Sequence, residues 1–291
     1  MNIYCKGLKF LPVILIFPII ASSDVVYPLK GLRFEGKSDL RIISTAPSIT
    51  ETLYFLGLFE NVVGLTRYDD FPEGVGDKEI IGGYLDIDVE KIMRLEPDIV
   101  FCEPNSGIKS SVELLANRGI PIYVVNVNSI LDILFSIEEI GRIMGRANEG
   151  RRVLNELYER YIHLQRLISK RKSSALIILN ENPMMVAGKN SFVGELLNLS
   201  GLRNIYDGEY KYPVLDNEVL IRLKPDMVIN ISESVMMGKE RKNDISGAFR
   251  LFLNESTKIY NISDPVFIRP SPRFIDAIEK LCTLNSEYYC Y

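Results

Sequence analysis

One stretch occurs twice in this chain, and the repetition constrains its fold more than any other feature. It reads DVEKIMRLEPDIV from Asp88 to Val100 and returns as NEVLIRLKPDMV from Asn217 to Val228. At a constant offset Glu90 meets Glu218, Leu95 meets Leu223, Pro97 meets Pro225 and Asp98 meets Asp226. Each copy reads as a short helix that turns apolar residues toward a core. The helix ends ahead of a proline that cannot continue it and feeds a buried strand. The strands, DIVFC and DMVIN, are unbroken apolar runs of the kind a parallel sheet covers on both faces. Two such units, each with a glutamate at the same point of its helix, predict a protein of two related halves.

The surroundings repeat in the same order. Arg41–Ile43 leads through small residues into the helix ITETLYFLG, stopped by Gly57, with Ser48 as its expected cap and Glu51 completing a capping box. ALIIL (175–179) and the segment 188–205 echo this, placing Glu195 over Glu51, Leu197 over Leu53 and Gly201 over Gly57. Strands VVGL (62–65), IYVV (122–125) and KIYNI alternate with helices near Ser110–Arg118, Ala248–Leu253 and Ser271–Leu284. Alternation at this spacing predicts α/β halves with parallel sheets. A length of 291 residues accommodates two such domains.

Between the halves the strand signal stops. Leu131, Leu134, Ile137, Ile140 and Ile143 form one helical stripe, and Val153, Leu154, Leu157, Tyr161, Leu164 and Ile168 form another beyond Gly141–Gly145. The second piece, roughly 25 residues, would be on the order of 37 Å long at helical rise. That is a domain's length, and it reads as a stiff strut.

At the start, Lys6 and Lys9 precede eleven residues, Phe10–Ile20, that are almost all apolar and give way to Ala21, Ser22 and Ser23. Basic, apolar, small is the order of a secretory signal, and the run is short for a bilayer span. The competing reading is an uncleaved N-terminal tether. Removal of residues 1–23 lowers the net charge from −4 to −6, which offers nucleic acid no basic face. Cys102 ends an expected core strand. Cys282 and Cys290 are the pair a single bridge would use.

Catalytic signals are sparse. The one histidine, His163, lies on the charged strut. No CxxC pair, GxxxxGK[ST] or GxGxxG occurs, so neither a nitrogen–sulfur metal site nor nucleotide cradling has a motif. A carboxylate pair remains open. The loops at strand ends are richer: Thr66–Pro72, Gly82–Tyr84, Glu103–Asn105, Asn180–Met185, Glu209–Pro213 and Ser263–Arg273 combine aromatic, small and charged residues. Ligands of open α/β sheets bind at those ends, and flat aromatic area suits a large planar ligand.

APSITETLYFLG, GLTRYDDFP, GGYLDIDVEKIMRLEPDIV, SFVGELLNLSGLRNI, YPVLDNEVLIRLKPDMV and SDPVFIRPSPR together resemble the periplasmic substrate-binding proteins of ABC importers for vitamin B12, ferric siderophores and haem. They resemble the B12-binding branch most, and the likeness runs from about Arg41 to Leu284. It implies two Rossmann-like α/β lobes joined by one long rigid helix, the class III periplasmic-binding-protein fold. The lobes would span residues 41–128 and 173–291 around a helical segment at 129–172, behind a signal peptide at 1–23. It also implies no catalysis, a periplasmic monomer, and delivery of a bound corrinoid to a membrane permease with its ATPase. Haem or a ferric siderophore is the alternative cargo. An enzyme with a carboxylate site between its lobes is the alternative of another class.

By the same resemblance Tyr68, Tyr84 and Tyr212 would pack on the ligand. Asp264 and Arg269 would be its polar partners, at a spacing one residue longer than in that branch. Glu90 and Glu218 would dock on permease arginines. Tyr84 stands where that branch carries Trp, and this chain has no tryptophan. Haem binders of the class use a tyrosine after the glycine here on iron. The cysteine that partners Cys282's counterpart is absent, its place falling near Leu199 and Ser200.

Overall fold

The computed structural model describes residues 34, 36–37, 39–104, 107–168, 173–232, 250 and 253–285. The signal segment 1–23, Cys290 with its expected bridge, Asn105 and most of the helix expected at Ala248–Leu253 lie outside them.

Two five-stranded sheets carry the chain. The first is wholly parallel: β1 (Ile42–Ser44), β2 (Val62–Leu65), β3 (Glu79–Ile80), β4 (Ile99–Cys102) and β5 (Ile122–Val124), in the order β3-β2-β1-β4-β5. The second runs β10-β9-β6-β7, from β6 (Ser174–Glu181), β7 (Met184–Val186), β9 (Met227–Asn230) and β10 (Lys258–Asn261). There β8 (Arg203–Asn204) also pairs with β6, and β7 is antiparallel to it. The segment from Asn180 to Met185 is therefore largely strand, where the sequence suggested a loop. The halves are doubly wound α/β lobes of one design.

The repeated stretch explains why. Its helices, α2 (Val89–Arg94) and α7 (Asn217–Leu223), are each capped by an aspartate: Asp88 accepts from the Lys91 N–H at 2.8 Å and Asp216 from the Val219 N–H at 2.9 Å. Each is followed by a non-glycine residue in the left-handed region, Glu96 (φ 46°) and Lys224 (φ 44°), ahead of the proline. The next residue ties the lobe together. Asp98 accepts from the Arg41 N–H at 2.9 Å, and Asp226 from the Ser174 N–H at 2.7 Å. Each aspartate thus pins the start of its lobe's central strand, β1 or β6.

Helix α1 (Pro47–Phe55) corrects the capping-box reading. Pro47 takes the first helical position, so Ala46 is the cap and supplies no side-chain bond. Ser48 and Glu51 lie inside the helix, facing other elements. Helix α6 (Phe192–Leu199) does have a side-chain cap, Ser191 to the Gly194 N–H at 3.0 Å. Both helices give way to a left-handed glycine, Gly57 (φ 70°) and Gly201 (φ 76°).

Helices α4 (Ile130–Ile143) and α5 (Ala147–Leu167) join the lobes. The buried face of α4 carries Ile130, Ile133, Ile137 and Ile140, while Leu131 is 70% exposed. A strict three-residue spacing slips around a helix of 3.6 residues per turn, so Leu131 cannot share a face with Ile140. Helix α5 has 21 residues, about 31 Å, and Ile168 lies beyond its end. Val153, Leu157 and Leu164 of α5 belong to a core that also takes Ile42, Phe101, Ile177, Ile229 and Ile278, so one apolar body runs through both lobes. The sheets' other faces bury Ile43, Val100 and Ile92, or Leu176, Val228 and Leu220, under α2 and α7. Helix α8 (Phe274–Asn285) closes the second lobe, where Asp276 and Glu279 each hold Arg160 of α5 at 2.7 Å.

Candidate functional site

The first sheet reverses its order of construction between β1 and β4, which is where open α/β sheets open a crevice. Residues just past those strands line it. Glu103 follows β4 and is partly buried. Its Oε1 accepts from the Ser48 hydroxyl, and its Oε2 accepts from the Tyr84 hydroxyl at 3.0 Å. Burial raises the Glu103 carboxyl above its ordinary range, and the bonds from Ser48 and Tyr84 oppose that rise.

Tyr84 reaches this point on a hairpin that requires a glycine at position 82. Gly82 has φ 122°, and a Cβ there would strike the Asp86 carbonyl. A Cβ on Gly83 would strike the Asp86 side chain and Arg67, which pair with each other at 2.9 Å. From the other lobe comes Tyr212, on a segment that lies against the Gly188 backbone; a Cβ there would meet the Tyr210 carbonyl. Burial, and next the Glu195 charge, raise the Tyr212 hydroxyl's pKa.

Tyr84 and Tyr212 line one cleft of about 460 Å³ between the lobes. Glu103 shares the first-lobe wall, Met185, Phe192 and Ile268 the second, and Val127 and Asn128 the connection. Glu103 is the only formally charged residue among the described ones lining it.

The other expected site residues lie elsewhere. Tyr68 is 54% exposed and does not line the cleft; its carbonyl accepts from Arg269 Nη2 at 3.0 Å. Asp264 caps a short turn through the Val266 N–H at 3.0 Å and pairs with Lys280 of α8. Arg269 does not face Asp264. Its guanidinium crosses to the first lobe and meets Asp70 and Glu51. Glu90 and Glu218 are exposed at the second position of α2 and α7, outside the cleft. His163 is exposed on α5, and no group of three metal-ligating side chains occurs among the described residues.

Sequence reasoning missed the groups that hold the lobes around the cleft. Glu51, on α1, is fully buried and accepts from the Ser271 hydroxyl; Arg269 and Arg273 each approach its Oε1 at 3.3 Å. Burial pushes its carboxyl up against the Ser271 bond and the two arginine charges. Its repeat-mate Glu195 does the converse: from the second lobe it accepts the Ile130 N–H, at the start of α4, at 2.8 Å. In each direction a carboxylate on a lobe's first helix holds the segment where the other lobe hands over to a helix. The available signal was a glutamate kept at one position in two apolar helices.

Two doubly wound lobes, the joining helices α4 and α5 and an aromatic cleft at the strand ends define a helix-bridged, two-lobed binding protein. The family described as Periplasmic binding protein matches residues 42–246, and the chain belongs to it. A vitamin B12-binding protein of Vibrio parahaemolyticus is 26% identical over 248 residues, 83% of this chain and 88% of that one. An uncharacterised ABC transporter substrate-binding lipoprotein, YvrC of Bacillus subtilis, is 28% identical over 253 residues, 84% of this chain and 79% of the relative. The periplasmic haem-binding protein HutB of Vibrio cholerae shares the fold, with a TM-score of 0.76 at 19% identity over 85% of this chain and 99% of its own.

Proposed function

We propose that this chain is the exported solute-binding component of an ABC importer, and that it captures a corrinoid between its lobes. One observation carries the reading: a cleft walled by a tyrosine from each lobe, with mostly apolar side chains, Glu103 and Asn128 around them. Tyrosine offers flat area at little entropic cost. The cleft is small for a whole corrinoid, so the macrocycle would be gripped along part of its face. Vitamin B12-binding relatives support the corrinoid. The bound molecule then passes unchanged to a membrane permease with its ATPase. Glu90 and Glu218, exposed at matching places on the two lobes, are the proposed contacts for permease arginines. A single monomeric copy suffices. The relative named a lipoprotein makes a membrane-tethered protein the alternative to one free in the periplasm.

A haem or a ferric siderophore is the second reading, favoured by the Tyr84 phenol at the cleft wall. Absorbance titrations with cyanocobalamin, haemin and a ferric hydroxamate separate the two. A haemin complex with an iron–phenolate band that Tyr84→Phe abolishes, alongside no response to cyanocobalamin, would overturn the corrinoid. Recovery of cyanocobalamin at unchanged mass after long incubation is expected; an altered mass would instead point to catalysis, with Glu103 as its carboxylate.

A further inference from the structure

A partly buried carboxylate at a binding cleft needs a reason, because withdrawing its charge from water is costly unless something compensates. Among the described residues Glu103 receives two hydroxyl donors, Ser48 and Tyr84, and no ion pair. Arg269, the cation expected to serve the ligand, is committed to Asp70, Glu51 and the Tyr68 carbonyl. The cleft therefore presents a single formal charge among its described lining residues, and that charge is negative.

We propose that Glu103 determines specificity: it admits neutral or cationic macrocycles that present amide or ammonium donors, and it rejects those that carry carboxylates. This deepens the corrinoid reading and rests on it for the natural ligand. An ionised carboxylate only accepts hydrogen bonds. An amide N–H on the ligand's edge gives Glu103 a charge-assisted bond, whereas a ligand carboxylate brings a second negative charge into a partly dry site. Tyr84 fits the same scheme. Its hydroxyl donates to Glu103, so an iron–phenolate bond would require that proton to leave from beside a carboxylate. A corrinoid, whose rim bears amides, meets these demands, and haem, whose rim bears two propionates, does not.

Haemin and its bis-amide, which differ only at the rim, test the claim without depending on the corrinoid. The parent protein should bind the bis-amide about tenfold or more tightly than haemin, since a hydrogen bond to a charged group outweighs one between neutral groups; tenfold is about 1.4 kcal/mol. Glu103→Gln should bring the two affinities within about threefold by strengthening haemin, and Glu103→Asp should restore discrimination. Thermal melts of both variants report their folding. Cyanocobalamin and its rim monocarboxylic acid, titrated in parallel, should show the same preference and the same loss of it. Equal binding of haemin and bis-amide by the parent, or unchanged discrimination in a folded Glu103→Gln protein, would overturn the proposal. Absence of cyanocobalamin binding with the bis-amide preference intact would overturn the corrinoid reading alone.

Discussion

Replacing Glu51 by alanine should loosen the join between the lobes without touching the cleft wall. The carboxylate is buried, and among the described residues its partners all come from the second lobe: Ser271, Arg269 and Arg273. Its removal leaves two arginines, 14% and 21% exposed, facing a gap. Breaking a buried pair from one side costs about 3–5 kcal/mol. Arg269 keeps Asp70, and Arg273 keeps Asp276 at 3.5 Å and the Phe71 ring at 4.4 Å, so the lower end, about 3 kcal/mol, applies. In a chain of this size each kcal/mol moves Tm by roughly 2–4 °C, which gives a drop of about 6–12 °C. Asp70→Ala is the control. Its carboxylate is 55% exposed, and loss of an exposed ion pair is worth about 0–1 kcal/mol. Melting followed by circular dichroism compares the two. If Glu51→Ala falls no further than Asp70→Ala, the buried clasp does not hold the lobes and the reasoning is wrong.

Three further outcomes follow from the geometry. Changing Glu90 and Glu218 together to alanine should leave ligand affinity intact and abolish import in cells; weakened ligand binding in that variant would place them in the wrong role. Glu103 predicts a pH dependence. Its folded-state pKa lies above the ordinary 4.5, so its share of stability is complete below that value and is lost as pH rises through the folded one. Glu103→Gln removes the loss, and the Tm of variant minus parent should be larger at pH 7 than at pH 4; a difference of the opposite sign refutes the assignment. Finally, Glu96 and Lys224 hold left-handed backbone, which costs a non-glycine residue about 1–2 kcal/mol. Glycine adds about 0.5–1 kcal/mol of unfolded-state entropy, so Glu96→Gly and Lys224→Gly should each raise Tm by roughly 1–2 °C. A fall of that size would show that the side chains matter more than the strain.

The repeated stretch was legible because most of its reasons are local: a capping aspartate, a helix too short to wander and a proline. The bridging helix was legible from its stripe and its lack of strand signal. Pairing across the lobes was not. Glu51 and Ser271 are 220 residues apart, and nothing in the run ITETLYFLG says that its glutamate will be buried by the other half. Ser48 followed three residues later by Glu51 has the form of a capping box, yet Pro47 moved the helix start forward and freed both side chains for longer reach. The site was half legible for the same reason. Tyr84 and Tyr212 were found as aromatics on strand-end loops and do line the cleft. Glu103 was one residue in such a loop, and its importance depends on being the single charge among the described residues that line the cleft, which only the packed structure displays.

The central claim is that the two-tyrosine cleft takes up a corrinoid. Titration calorimetry of the purified protein with cyanocobalamin tests it most directly. The account predicts saturable one-to-one binding with Kd at or below about 1 μM, equivalent to roughly −8.2 kcal/mol, and a loss of at least tenfold when Tyr84 and Tyr212 are both alanine. No saturable heat with cyanocobalamin, or full-strength binding by the double variant, would contradict it.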